Sequence, residues 1–212
     1  MRASAQRDLE LADWRRRTGD LYRLRGEDAL QQWRRGRDRL FATHPQSPIP
    51  QGDRPAFEGL HYYDPDPALR IRCRLEAPRG DGEGLDIDTG GEDGVIHYRR
   101  SGTLRFLHRG VACELTVFAI SGYGGGLFLP FRDATSGKET FGAGRYLFDT
   151  VKNTDGLSLE LTPGSDEVLV DFNYAYNPSC AYDDCWACPL APPENWLAVP
   201  IRAGERIYRQ LA

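Results

Sequence analysis

The sequence predicts a mainly β fold: a single antiparallel β-sandwich or barrel-like domain with an N-terminal helical arm. Three observations point there. From Phe57 onward, short runs rich in Val, Ile, Leu, Phe and Tyr alternate with polar residues at period two and end in turn residues. No helical pattern separates those runs, which argues against parallel βαβ units. Ahead of them, residues 1–45 carry apolar residues at helical spacing and then break at proline.

The arm comes first. Leu11 and Trp14 share a face within residues 7–18, with Arg opposite, and Thr18-Gly19-Asp20 is expected to interrupt that helix. A second helix opens on Glu27 and Asp28, where the helix dipole favours acids. Leu30, Trp33, Arg37, Leu40 and Phe41 then follow one stripe, and His44-Pro45 ends it because proline disfavours helix in the residue before it. Residues 46–54 read as an extended connection. Strands are expected at 57–62, 69–76, 94–99, 103–108, 111–120, 126–131, 145–151, 157–161, 167–173 and 196–201. Arg100-Ser101-Gly102, Arg109-Gly110 and Pro163-Gly164-Ser165 are hairpin signals. Residues 79–93, rich in Gly and acids, read as a mobile loop. The division is thus an arm at 1–45 and a β domain at 55–212, with a Cys/Pro-rich loop at 178–195.

At 212 residues the chain is long enough to bury a core without metals or disulfides. A net charge of −4 gives no reason to expect nucleic acid. The charge is uneven: residues 1–41 hold eleven Arg against seven acids, which reads as the solvated side of the arm. No apolar run approaches the roughly 20 residues that span a bilayer, so no membrane partner is expected. The start of the chain lacks the apolar stretch of a signal peptide, and a cytoplasmic location is the expectation. The five cysteines are then expected to be mostly reduced.

Two polar blocks stand apart from the strand pattern. The first is Phe131-Arg-Asp-Ala-Thr-Ser-Gly-Lys-Glu-Thr-Phe-Gly-Ala-Gly-Arg-Tyr-Leu147. The second is Asp171-Phe-Asn-Tyr-Ala-Tyr-Asn-Pro-Ser-Cys180, followed by Cys188-Pro-Leu-Ala-Pro-Pro-Glu-Asn195. On these motifs, and more loosely on Phe57-Glu-Gly-Leu60 and Arg202-Ala-Gly-Glu205, the chain resembles the bacterial and archaeal "domain of unknown function 1684" family over roughly residues 27–208. The resemblance implies no activity, substrate or cofactor. Family members usually lack a cysteine at the position of Cys185.

The blocks supply the candidate site. Ser136, Lys138, Thr140 and Arg145 offer donors, while Gly142 and Gly144 let a ligand approach the backbone. Asp133 and Ser136 also suit a hairpin turn, the bland alternative. Asp171 and Asn173 share one face of a strand, and with Tyr176 and Asn177 they are read as orienting groups. The leading expectation is a pocket for a small polar or anionic ligand lined by Asp133, Ser136, Lys138, Thr140, Arg145, Asp171, Asn173, Tyr176 and Asn177. One alternative is a hydrolase or transferase with Asp171 as general base. The other is a structural or interaction protein with no small-molecule site. Phosphate-loop and dinucleotide fingerprints fail: Gly137-Lys138 precedes Glu139, and Gly122-Tyr-Gly-Gly-Gly126 has no following helix.

Cys180-x4-Cys185-x2-Cys188 copies three ligands of a plant-type iron–sulfur loop and could begin a zinc site. No cysteine follows Cys188, so no cofactor is predicted, and a zinc ion or iron–sulfur cluster is the less favoured reading. A close thiol pair or disulfide between Cys180 and Cys188 is favoured instead. Cys73 and Cys113 fall in strands as small core residues.

Overall fold

Ala29 to Thr43 forms an amphipathic helix because Trp33, Gly36, Arg37, Leu40 and Phe41 recur on one side, and that side is buried in the computed structural model. The structure describes residues 2–78, 84–88, 94–122, 124–162 and 164–208. This helix is α2 (Ala29–Thr43), and α1 (Arg2–Leu21) precedes it. Thr18-Gly19-Asp20 does not interrupt α1, a correction to the expected break. Gly19 packs against Asn153 across the arm's contact with the β domain, so tertiary contact offsets its low helix propensity there.

Among the described residues, the β domain is one antiparallel sheet of eight strands, curved into a nearly closed barrel. They are β1 (Arg70–Glu76), β2 (Gly84–Asp88), β3 (Val95–His108), β4 (Val111–Ile120), β5 (Leu127–Phe131), β6 (Arg145–Asp149), β7 (Leu159–Leu161) and β8 (Glu167–Asp171). The spatial order is β6-β5-β4-β3-β1-β8-β7, with β2 added beside β3. The β3–β4 turn places Arg109 at φ 52° and Gly110 at φ 78°, the left-handed pair that a two-residue hairpin requires. In β1, Ile71, Cys73 and Leu75 alternate with the exposed Arg70, Arg72 and Arg74, the period-two pattern of a half-buried strand.

Four expectations need correction. Strands 94–99 and 103–108 are a single strand, β3, and Arg100/Gly102 is a bulge rather than a hairpin, because β4 continues to pair on both sides of it. The expected loop at 79–93 contains β2, and its other residues lie outside those described. Residues 57–62 and 196–201 are not strands. Their β-type pairing with other segments is limited to isolated bridges, Tyr62 with Glu205 and Trp196 with Arg132. Their apolar residues serve packing instead of a ladder: Leu60 and Ile201 are buried without strand partners.

The interior of the barrel is filled from nearly every strand, by Leu104, Leu115, Val117, Leu129, Phe131, Leu147, Val170 and Phe172 among others. Residues at alternate positions make a second cluster on the outer face, where Phe118, Phe128, Tyr146 and Tyr176 pack together. The arm covers part of that side. Trp33 lies edge-on to Tyr22, Tyr62 and Tyr174, and Phe41 lies against Tyr182. Burying several aromatic rings is the main force holding the arm in place.

Candidate functional site

The first polar block folds back on itself between β5 and β6. Thr135 donates its hydroxyl to the carboxylate of Asp133 at 2.9 Å and meets the hydroxyl of Thr140 at 2.9 Å, and all three are buried. Ser136 caps the same turn by accepting the Asp133 N–H at 3.2 Å. Gly137, Lys138, Phe141 and Gly142 are thereby pushed to the surface as one wall of a cleft of about 610 Å³. The opposite wall is the turn carrying Cys180, Ala181, Tyr182, Asp183 and Asp184, and Pro50 and Ile207 close the ends. A carbon added at Gly142 would lie 3.7 Å from the Gly137 Cα, so the two glycines face each other closely within this wall.

Arg145 does not face that cleft. It is 1% exposed, and its guanidinium donates to the carbonyls of Ala203, Glu205 (3.1 Å) and Ile201 (2.8 Å). The Asp133 carboxylate lies 3.5 Å away and accepts the Ile201 N–H at 2.6 Å. Arg145 and Asp133 therefore fasten the C-terminal segment onto the barrel. The need for a partner expected of a buried arginine is met by protein carbonyls and a carboxylate.

Asp171 and Asn173 form a separate local structure. Asp171 accepts the Asn173 N–H at 2.9 Å and its side-chain amide at 2.8 Å, and Arg70 Nε lies 3.9 Å away. Burial holds the Asp171 carboxyl above the usual carboxylate range, and the Asn173 bonds oppose that shift. Asn173 in turn grips Asp66, accepting its N–H at 2.8 Å and donating to its carbonyl at 2.9 Å. This pair does not border the cleft, so the structure does not bring Asp171 and Lys138 together.

Tyr176 and Asn177 border a second hollow of about 60 Å³ beneath the arm, together with Arg37, Thr154 and Tyr182. That is room for a few water molecules. Here sequence reasoning missed two residues, Arg37 and Glu205. Arg37 donates to Glu205 at 2.7 Å and to the Tyr62 hydroxyl at 3.1 Å, and Tyr182 also donates to Glu205. Glu205 accepts the Asn177 N–H at 3.1 Å as well. Burial lifts the Glu205 carboxyl above its ordinary value, against the pull of Arg37, Tyr182 and Asn177. The signal for Arg37 lay in the apolar stripe of α2, where a lone charge demands a buried partner.

The three C-terminal cysteines separate. Cys180 is half-buried and borders the cleft, Cys188 is buried and does not line it, and Cys185 is exposed. Cys188 Sγ accepts the Cys180 N–H at 3.4 Å, which sets the two cysteines side by side. The neighbouring Cys180 side chain and the backbone N–H groups of Cys180 and Ser179 bring the Cys188 thiol down to about 6 against the effect of burial, while Cys188 and burial push the Cys180 thiol up. Among the described residues, no three His, Cys, Asp or Glu side chains gather as a metal-binding group. Cys73 and Cys113 are buried and pack in the barrel interior.

No curated protein matches the chain. The solution NMR structure of an uncharacterized protein of Haloarcula marismortui is similar, with a TM-score of 0.62 and 38% identity, over 85% of this chain and 93% of that one. The profile of a family described as "Protein of unknown function (DUF1684)" matches residues 55–206. Those residues hold both polar blocks and the whole β domain up to Arg206, and the chain belongs to the DUF1684 family of unknown function.

Proposed function

We propose that the protein binds a small polar ligand in the cleft between the Gly137–Gly142 wall and the Cys180–Asp184 wall. The observation that carries the reading is the meeting of the two polar blocks there, in a hollow of about 610 Å³. That volume lies within the range of small-molecule sites, about 300–1,000 Å³. Lys138 supplies a positive charge for an acidic group of the ligand, and Asp183 and Asp184 accept hydrogen bonds from its donors. Phe141, Tyr182 and Ile207 supply the apolar contact that most such sites need. A cytoplasmic, reducing setting suits a site with a free thiol in its wall. Nucleic acid is not the proposed ligand, since the wall opposite Lys138 is acidic.

The test is a ligand-detected NMR screen of small carboxylates, amino acids, sugars and sugar phosphates, followed by titration. A true ligand loses about tenfold or more in affinity with Lys138→Ala, as expected when one charge-assisted hydrogen bond is removed. Gly142→Val, which places a side chain in the wall, weakens the same compound. Binding that ignores both substitutions would put the site elsewhere.

A further inference from the structure

The Cys180 and Cys188 thiols are the nucleophilic groups that the ligand reading leaves unused. Their segments are held firmly from both sides. Asn177, three residues before Cys180, donates its side-chain amide to the Arg206 carbonyl at 2.8 Å, and its N–H is bound by Glu205. Pro189, directly after Cys188, accepts the Tyr146 hydroxyl at 2.6 Å. The Cys180 backbone and the Cys188 sulfur are thus brought within 3.4 Å by segments anchored elsewhere. Cys180 lines the open cleft and Cys188 is buried and does not line it, with Lys152 adding a positive field at the pair.

We propose that Cys180 and Cys188 are a redox-active dithiol that exchanges with low-molecular-weight disulfides entering the cleft. The inference does not rest on the polar-ligand reading, because it needs only access to Cys180 and contact between the two sulfurs. Of the two thiols, Cys188 is held below its ordinary value and Cys180 above it. Transfer of the Cys180 proton to the Cys188 thiolate frees the Cys180 sulfur as the nucleophile. Cys180 attacks one sulfur of the incoming disulfide. A Cys180–ligand disulfide bond forms, the incoming sulfur–sulfur bond breaks, and the first thiolate leaves and takes up a proton. Cys188, losing its proton to solvent, attacks Cys180 Sγ. The second thiolate leaves, takes up a proton, and the Cys180–Cys188 bond closes. Overall two electrons pass from the dithiol to the disulfide, and two protons end on the two released thiols.

Only a neighbouring thiol can complete the second step, which is why the pair, and not either cysteine alone, defines the site. Cys185 is exposed, its N–H is bound to Asp183 at 2.9 Å, and its thiol is held above its ordinary value by partial desolvation and by the carboxylates of Asp183 and Asp184. It is the natural internal comparison.

The experiment equilibrates the full chain with graded ratios of oxidised to reduced glutathione, blocks free thiols with an alkylating reagent under denaturing conditions, and maps peptides by mass spectrometry. The expected result is a bridge between the Cys180 and Cys188 peptides with loss of those two alkylation sites, while Cys73 and Cys113 stay reduced. Cys188→Ser arrests at a glutathione adduct on Cys180, and Cys180→Ser leaves Cys188 free of adduct in the folded protein. The wild-type map decides the matter even if a variant folds poorly. Complete alkylation of Cys180 and Cys188 at the oxidising end would overturn the proposal. So would a bridge that uses Cys185 in place of Cys188.

Discussion

Arg145 donates to three backbone carbonyls of the segment at 201–205, and Asp133 ties the same segment from the side. Its guanidinium lies over the Phe131 ring at 5.1 Å. No neutral side chain can replace that set of bonds, since only a guanidinium presents several donors in one plane. Arg145→Met leaves the carbonyls without donors and Asp133 without a cation in a dry site. The expected loss is about 3–5 kcal/mol of stability, read by urea unfolding. An unchanged midpoint would mean that the C-terminal segment is held by other contacts. Asn195 is a neutral counterpart. It accepts the Thr116 N–H at 2.8 Å and donates to the carbonyls of Thr116 (2.9 Å) and Pro130 (2.8 Å) while fully buried. Both residues stood out in the sequence as polar groups in particular motifs. Their use as fasteners was not legible, because a motif gives residue types in order and not the carbonyls they will meet.

At the scale of elements, alternation and turn chemistry located most strands. β1, β4, β5 and β8 lie within a few residues of the expected spans. Failures occurred where pairing partners decide the outcome. The Gly102 region looked like a turn by composition, but an added side chain there would meet Leu75 and the Glu76 carbonyl of β1 within 2.8 Å, so the glycine marks close strand approach. Residues 196–201 have strand-like alternation, yet they meet the end of β5 only through isolated bonds, the Arg132 N–H to Asn195 and the Leu197 N–H to Arg132. Gly204 completes this segment. It sits at φ +72°, and a Cβ would lie 2.5 Å from the Ala175 carbonyl oxygen and 2.8 Å from that of Phe172. Gly204→Ala therefore combines a left-handed backbone with a collision against backbone atoms. A loss of roughly 2 kcal/mol or more is expected, visible as a lower thermal midpoint. Gly110→Ala at the exposed β3–β4 turn, with nothing near the added carbon, should cost less.

At the scale of the whole molecule, the arm and the barrel are joined by a charge pair as well as by aromatic rings. Arg37 and Glu205 stand 168 positions apart in sequence and 2.7 Å apart in space, and neither is more than 5% exposed. Arg37→Met leaves Glu205 buried without its cation, and a loss of about 3–5 kcal/mol is expected. A double substitution, Arg37→Met with Glu205→Leu, should recover part of that loss in a double-mutant cycle. Additive losses would show that the pair does not couple arm to barrel. The mainly β class, the helical arm, most strand positions and the family were all determined by the sequence, since periodicity, turn residues and contiguous motifs are local properties of the chain. The tertiary structure alone decided which buried charges became partners, that Lys138 meets Cys180 across a cleft while Arg145 and Asp171 turn elsewhere, and which two of three nearby cysteines touch. Those outcomes depend on long-range packing, where a side chain's surroundings come from segments far away in sequence that no local pattern encodes.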